Sequence, residues 1–212
     1  MRPVRSPLVI LSLVAVLAVT TACGTGPAPA AVVAPVETPA PARGPFVAAA
    51  NPLAVAAGMA VLRRGGSAVD AAVAVQAVLG LVEPQSSGLG GGAFLMHFDA
   101  ATGAVTAYDG RETAPASATD RLFHEDGRPL GFADAVLSGR STGVPGVVAM
   151  LGQAQRDHGT LAWRDLFGDA EALARDGFIV SPRLAGFIAA PAGQARTRWA
   201  EAYFTRPDGR RY

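Results

Sequence analysis

Residues 82 to 115 constrain the fold more than any other stretch of the chain. Val82-Glu83-Pro84 closes one apolar segment, and Gly88, Gly90, Gly91 and Gly92 then crowd into a turn that runs directly into Ala93-Phe94-Leu95-Met96-His97-Phe98. A reversal near Asp99 to Gly103 returns the chain through Val105-Thr106-Ala107-Tyr108 to Arg111, Glu112 and Pro115. Glycine tolerates positive φ and lets a ligand or a second backbone come close. The pattern predicts a glycine turn opening a buried β-hairpin, with strands over about 92–99 and 104–109. The charged pair at its end, Arg111 and Glu112, is the kind of polar feature that marks binding.

The segments around the hairpin read as helices. Asn51-Pro52 supplies an N-cap and a proline at the first helical position, and Leu53, Ala56, Ala57, Ala60 and Val61 recur at helical spacing. Arg63-Arg64 suit the negative end of that helix as a solvated terminus, and Gly65-Gly66 stop it. Ser67 with Asp70 forms a variant capping box for a second helix over 68–81, apolar on nearly every face and hence buried. Two short-looped helices followed by a hairpin predict a helical layer over a sheet, an α+β arrangement. Residues 116–140 read as a long connection with a turn at Glu125-Asp126-Gly127. Helices are expected over about 146–157, 162–176 and 182–190, and the last stretch, Arg206 to Tyr212, is turn-like.

With 50% hydrophobic and 17% charged residues, the 212-residue chain can bury a core and is not a disordered polymer. All 18 basic residues are scattered arginines and the net charge is +1, so nucleic acid is not an expected partner.

The N-terminus carries an export signal. Arg2 and Arg5 precede an apolar run from Leu8 to Ala18 and then small residues, which predicts a signal peptide over 1–22. Without it the chain has 16 basic against 17 acidic residues. Cys23, the only cysteine, follows small residues and precedes Gly24, as at a bacterial lipoprotein cleavage site, so lipidation and a membrane anchor are expected there. A disulfide within the chain is excluded. Residues 23–45 then form a linker with six prolines, able to extend on the order of 70 Å as polyproline II. The folded part spans 46–212.

The glycine turn invites a test as a nucleotide site, since Gly88-x-Gly90-x-x-Ala93 with Asp109 about 20 residues on matches the dinucleotide fingerprint literally. That fingerprint needs a strand before it and a helix after it. Here a helix precedes and a hairpin follows, so a nucleotide is not expected. His97 reads as a packed strand residue, while His124 and His158 sit in turn-like, polar surroundings. Three isolated histidines offer no metal-ligand spacing, and neither metal nor cofactor is implied.

Several linked motifs resemble the gamma-glutamyltransferase family (gamma-glutamyltranspeptidase, or glutathione hydrolase). They are Ala48-Ala49-Ala50-Asn51-Pro52-Leu53-Ala54, Gly65 to Ala74, Val82-Glu83-Pro84, Ser87 to Phe94, Asp109-Gly110-Arg111-Glu112-Thr113-Ala114-Pro115 and Ser141-Thr142-Gly143-Val144-Pro145-Gly146. They occur in the family's order over about 46–212. The family usually has Asn where Ser67 stands, and both residues cap helices.

The resemblance implies an N-terminal-nucleophile hydrolase. Its fold is a four-layer α-β-β-α sandwich, of which this chain is the N-terminal, incomplete part of the large subunit. The precursor cuts itself, and the new N-terminal Thr attacks a γ-glutamyl carbonyl and passes the acyl group to water or an amino acid. The α-amine beside that hydroxyl serves as base. The resemblance assigns Arg111 to the α-carboxylate of the γ-glutamyl group, Glu112 to a supporting or amine-facing role, and Gly88, Gly90, Gly91 and Gly92 to pocket backbone. A guanidinium grips a carboxylate through two parallel hydrogen bonds, which agrees.

No Thr-Thr-His-x-Ser-like segment occurs, so the nucleophile is expected downstream, in a missing C-terminal portion that would be the chain's partner. The expectation is an exported, periplasmic, membrane-anchored enzyme acting on a small γ-glutamyl compound such as glutathione. The alternatives are a non-catalytic lipoprotein binding such a ligand through Arg111, and a related β-lactam side-chain acylase. Residues 1–212 alone are expected to be inactive.

Overall fold

The computed structural model describes residues 44–190 and 197–212. The stretch expected to be a signal peptide, Cys23 and all but the end of the expected linker lie outside the described residues. Two helices lead: α1 (Pro52–Arg63) and α2 (Ala68–Val82). The Asn51 side chain accepts from the Leu53 amide, and Ser67 and Asp70 exchange both bonds of the expected capping box. Gly65, at φ +85°, ends α1 as the sequence indicates. The Gly65 amide donates to Leu62 O and the Gly66 amide to Val61 O, the paired bonds of a Schellman cap.

The hairpin follows as β1 (Ala93–Phe98) and β2 (Val105–Gly110), antiparallel, with Leu95 opposite Tyr108 and His97 opposite Thr106. Leu95 and Tyr108 pack against the core of Val61, Val73, Met150 and Leu151. The expectation of a fully buried hairpin fails on its other face. Phe94, Met96, Phe98 and Val105 are between 62% and 67% exposed, because the described residues place no second layer over them.

Residues 116–140 are more structured than a long connection. They form β3 (His124–Glu125) and β4 (Arg128–Pro129), then α3 (Phe132–Leu137) and a 3-10 turn at Gly139–Ser141. Asp126 and Gly127 both have positive φ, 48° and 76°, so the expected turn is a primed two-residue hairpin loop. Next comes α4 (Val147–His158) as expected. The helix read over 162–176 divides into a 3-10 turn (Trp163–Leu166) and α5 (Gly168–Asp176). The tighter turn lets Leu166 enter the core, 2% exposed, while Trp163 packs edge-to-face on Phe167. Then come α6 (Pro182–Ala189) and α7 (Arg198–Phe204), the latter unmarked in the sequence. The C-terminal turn is real and is clamped by a bridge between Thr205 and Arg211.

Two buried carboxylates tie these elements together. Asp70, fully buried, accepts from the Ser67, Thr160 and Leu161 amides and from the Thr160 hydroxyl, joining α2 to the loop after α4. Burial alone would raise its pKa, but these hydrogen bonds together hold it below the ordinary carboxylate value. Glu83, 1% exposed, accepts from Asn51 Nδ2 at 3.0 Å, Gln85 Nε2 at 2.6 Å and Arg183 Nη1 at 2.6 Å, with Ser181 Oγ at 3.3 Å. Those partners, the Asn51 bond foremost, depress its pKa despite burial. The end of α2 and the caps of α1 and α6 therefore meet at one carboxylate, from which the glycine turn departs.

Candidate active site

The turn leaves Glu83 through Ser86 and Ser87, whose amides both donate to Glu83 O. Gln76 Nε2 reaches from α2 to Ser87 Oγ at 3.0 Å. At the far end of the hairpin, Asp109 Oδ1 accepts from the Arg111 amide at 2.9 Å, which bends the chain out of β2. Thr113 and Val144 then exchange both backbone bonds, laying the Ser141–Gly146 segment alongside Arg111–Thr113. The Gly146 and Val147 amides, at the start of α4, donate to Gly91 O. Three segments distant in sequence are thus fastened around Arg111 and Glu112.

Close approach explains the glycines better than torsion does. None of Gly88, Gly90, Gly91 or Gly92 has positive φ, contrary to one reason for expecting glycine there. A β-carbon on Gly92 would lie 2.8 Å from both Glu112 Cδ and Gly110 O. One on Gly143 would lie 2.8 Å from Glu112 Cβ, and one on Gly91 would touch Glu112 Oε1 at 3.5 Å. Gly88 and Gly90 face open space, so only part of the turn needs glycine for packing. Gly143 belongs to this cradle although the sequence did not single it out as a site residue.

Arg111 and Glu112 form an ion pair, Nη1 to Oε2 at 3.1 Å, with side chains 57% and 30% exposed. The approach is too oblique for a hydrogen bond, and Glu112 Oε2 has no other partner among the described residues. Both groups keep unused hydrogen-bonding capacity. They line a cavity of about 540 Å³ with Gly90, Leu122, Phe123, Arg140 and Thr142. Glu112 also borders a neighbouring hollow of about 460 Å³, together with Gln76, Ser87, Gly88, Gly91 and Gly92. The expected site residues therefore converge, Gly88 in the second hollow and Gly90 in the first. Arg140 was missed because the stretch before it looked like plain connection.

The histidines lie elsewhere. His97 is on the covered face of β1, as expected. His158 is not in a turn: it ends α4 and stacks on His97, ring centroids 3.8 Å apart. Tyr108 meets His158 edge-on and donates to Asp157 Oδ2 at 2.9 Å. Among the described residues no group of three metal-ligating side chains assembles.

The family model for gamma-glutamyltranspeptidase matches residues 54–212. The chain belongs to this family. It is 42% identical over 144 residues to the glutathione hydrolase proenzyme of Bacillus subtilis, covering 68% of this chain and 24% of that protein. It is 48% identical over 129 residues to glutathione hydrolase 2 of Arabidopsis thaliana, covering 61% of this chain and 21% of that one. The solved gamma-glutamyltranspeptidase of Helicobacter pylori superposes with a TM-score of 0.73 at 30% identity, covering 81% of this chain and 49% of that chain. The chain thus spans about a quarter of the curated relatives and about half of the solved one. The gamma-glutamyltranspeptidase fold agrees with the expected α+β, N-terminal-nucleophile hydrolase class. The described residues supply a helical layer and a two-stranded piece of sheet.

Proposed function

We propose that this chain contributes the γ-glutamyl-binding part of an enzyme that transfers or hydrolyses γ-glutamyl groups, with glutathione as a representative substrate. One observation carries the reading: in a gamma-glutamyltranspeptidase-family chain, Arg111 and Glu112 stand side by side on a small-molecule-sized cavity with hydrogen-bonding capacity unspent. Arg111 takes the substrate α-carboxylate through its planar fork, and Glu112 faces the α-ammonium. Gly91, Gly92 and Gly143 leave room for the Glu112 side chain between the glycine turn and the Ser141–Gly146 segment. The γ-carbonyl is then attacked by a threonine hydroxyl from the small subunit of the same precursor. Its proton goes to the terminal amine, the leaving amine departs protonated, and water or an amino acid releases the acyl group.

Export and anchoring belong to the same reading: the leader over 1–22 delivers the protein to the periplasm, and lipid on Cys23 holds it to the membrane through the proline linker. Detergent-free fractionation should find the protein with membranes, and Cys23→Ser should release it or block processing. A fully soluble wild type with a mature N-terminus other than Cys23 would remove the anchor.

The activity is tested on the full-length protein with γ-glutamyl-p-nitroanilide. Arg111→Ala removes one side of an ion pair that the substrate desolvates, about 2–5 kcal/mol, or roughly 30- to several-thousand-fold in kcat/KM. Arg111→Lys should rescue poorly, because a point charge does not reproduce the fork. Near-normal turnover by either variant would make Arg111 structural.

A further inference from the structure

The glycine turn is fastened at both ends, and the fastening at its start lies outside the cavities that it lines. At its far end the Gly146 and Val147 amides donate to Gly91 O. In between, it rests on α2 at ordinary contact distance, since a β-carbon on Gly80 would stand 3.7 Å from Gly88 Cα. One on Gly88 or Gly90 would meet nothing within 4 Å. Packing therefore holds the middle of the turn only lightly, and hydrogen bonds at its ends set its course. At the start, Arg183 Nη1 donates to Glu83 Oε2 at 2.6 Å and to Ser86 Oγ at 3.3 Å. A single nitrogen from the first turn of α6 thus joins a buried carboxylate before Pro84 to a hydroxyl after it. Among the described residues Arg183 is the only cation paired with Glu83, and charge-assisted bonds of this kind are the strong ones. Arg183 lines neither cavity, so its effect on the site passes through the turn.

We propose that Arg183 is a positioning residue for the γ-glutamyl site. By holding Glu83 and Ser86 together it fixes the course of the turn. Gly91 and Gly92 then arrive where Glu112 packs, and Gly90 arrives on the cavity wall that it shares with Arg111. This rests on the γ-glutamyl reading of Arg111 and Glu112, and it adds a residue that supports them from a distant helix.

The test follows γ-glutamyl-p-nitroanilide turnover by the full-length protein, well below the melting temperature of every variant. In Arg183→Gln, KM should rise about five- to tenfold with kcat nearly unchanged, because head-group binding is lost equally from ground and transition states. The inhibition constant of free glutamate, which carries the same α-carboxylate and ammonium, should rise in parallel. Arg183→Lys should restore most of both, since one nitrogen makes both contacts and an ammonium can stand in for it. Ser86→Ala removes only the turn-side contact and leaves the Glu83 pair in place. It should raise KM about twofold at unchanged Tm, and it carries the test if Arg183→Gln does not fold. A role confined to stability would lower Tm in Arg183→Gln and leave KM and the inhibition constant alone, which overturns the proposal. So does a KM unchanged in Ser86→Ala, or one that Arg183→Lys fails to restore. A wild type without turnover overturns the γ-glutamyl reading and this inference with it. Wild-type turnover with no KM shift in Arg183→Gln overturns this inference alone.

Discussion

Gly92 and Glu112 are packed so closely that a single added methyl would collide with the carboxylate: a β-carbon on Gly92 falls 2.8 Å from Glu112 Cδ. It falls equally close to Gly110 O, which belongs to β2 and cannot swing aside as a side chain can. Gly92→Ala should therefore displace Glu112 and strain the start of the hairpin, costing about 1–3 kcal/mol as overpacking does. Gly88→Ala, facing open space, should cost under about 0.5 kcal/mol. Thermal unfolding of both variants, with γ-glutamyl anilide turnover alongside, checks this. Equal effects of the two would contradict it.

The Glu83 hub should show an ordered set of losses. Glu83→Ala strands the amides of Asn51 and Gln85 and the Arg183 head group, and should cost about 3–5 kcal/mol. Arg183→Ala should cost less, about 1–2 kcal/mol, because Arg183 is half exposed and Glu83 keeps its amide and hydroxyl donors. Denaturant melts give the order, and a larger loss in Arg183→Ala would overturn it.

Acid should expose the two buried carboxylates. Asp70 and Glu83 both have folded-state pKa values below their unfolded ones. Their contribution is fully present above the ordinary carboxylate values of about 4 and is lost as pH falls through the lower folded values. Tm should be nearly level from about pH 7 to 5 and drop below about pH 4. Asp70→Asn and Glu83→Gln should start less stable and lose less on acidification. A variant acid limb as steep as the wild type's would place the acid sensitivity elsewhere.

Buried His97 Nδ1 and His158 Nε2 have no hydrogen-bond partner among the described residues. An unpaired buried polar atom costs about 1–3 kcal/mol, so His97→Phe, which keeps a ring against His158, should be neutral or stabilising by up to about 1 kcal/mol. His158→Ala should destabilise by removing the stack. A marked loss in His97→Phe would mean that a partner for Nδ1 exists.

Expressed alone, residues 1–212 should turn over no γ-glutamyl anilide and should self-associate through Phe94, Met96, Phe98 and Val105, an exposed apolar sheet face. Co-expression with the proposed small-subunit portion, or Phe94→Ser with Met96→Ser, should improve solubility. Robust, Arg111-dependent turnover by a monomer would place the nucleophile within these residues.

What the sequence determined by itself is local or periodic. The Asn51 and Ser67 caps, the Gly65 stop, the Asp126-Gly127 turn and the 3.6-residue spacing of α1 act between near neighbours, so their physics is written in adjacent letters. The motif around Arg111 and Glu112 was legible for the same reason, as a contiguous string. Only the tertiary structure decided which distant segments meet. Gly143 became part of the Glu112 cradle when Val144 paired with Thr113, and Arg140 reached the cavity wall through a bond to a carbonyl 16 residues away. His158 found His97 when the end of α4 settled on β1. Asp70 and Glu83 look like ordinary helix-end acids in the sequence. Their burial depends on donors 90 to 100 residues away, which no local pattern specifies. Hydrogen bonds and close packing between remote segments are set by shape, and shape exists only once the chain has folded.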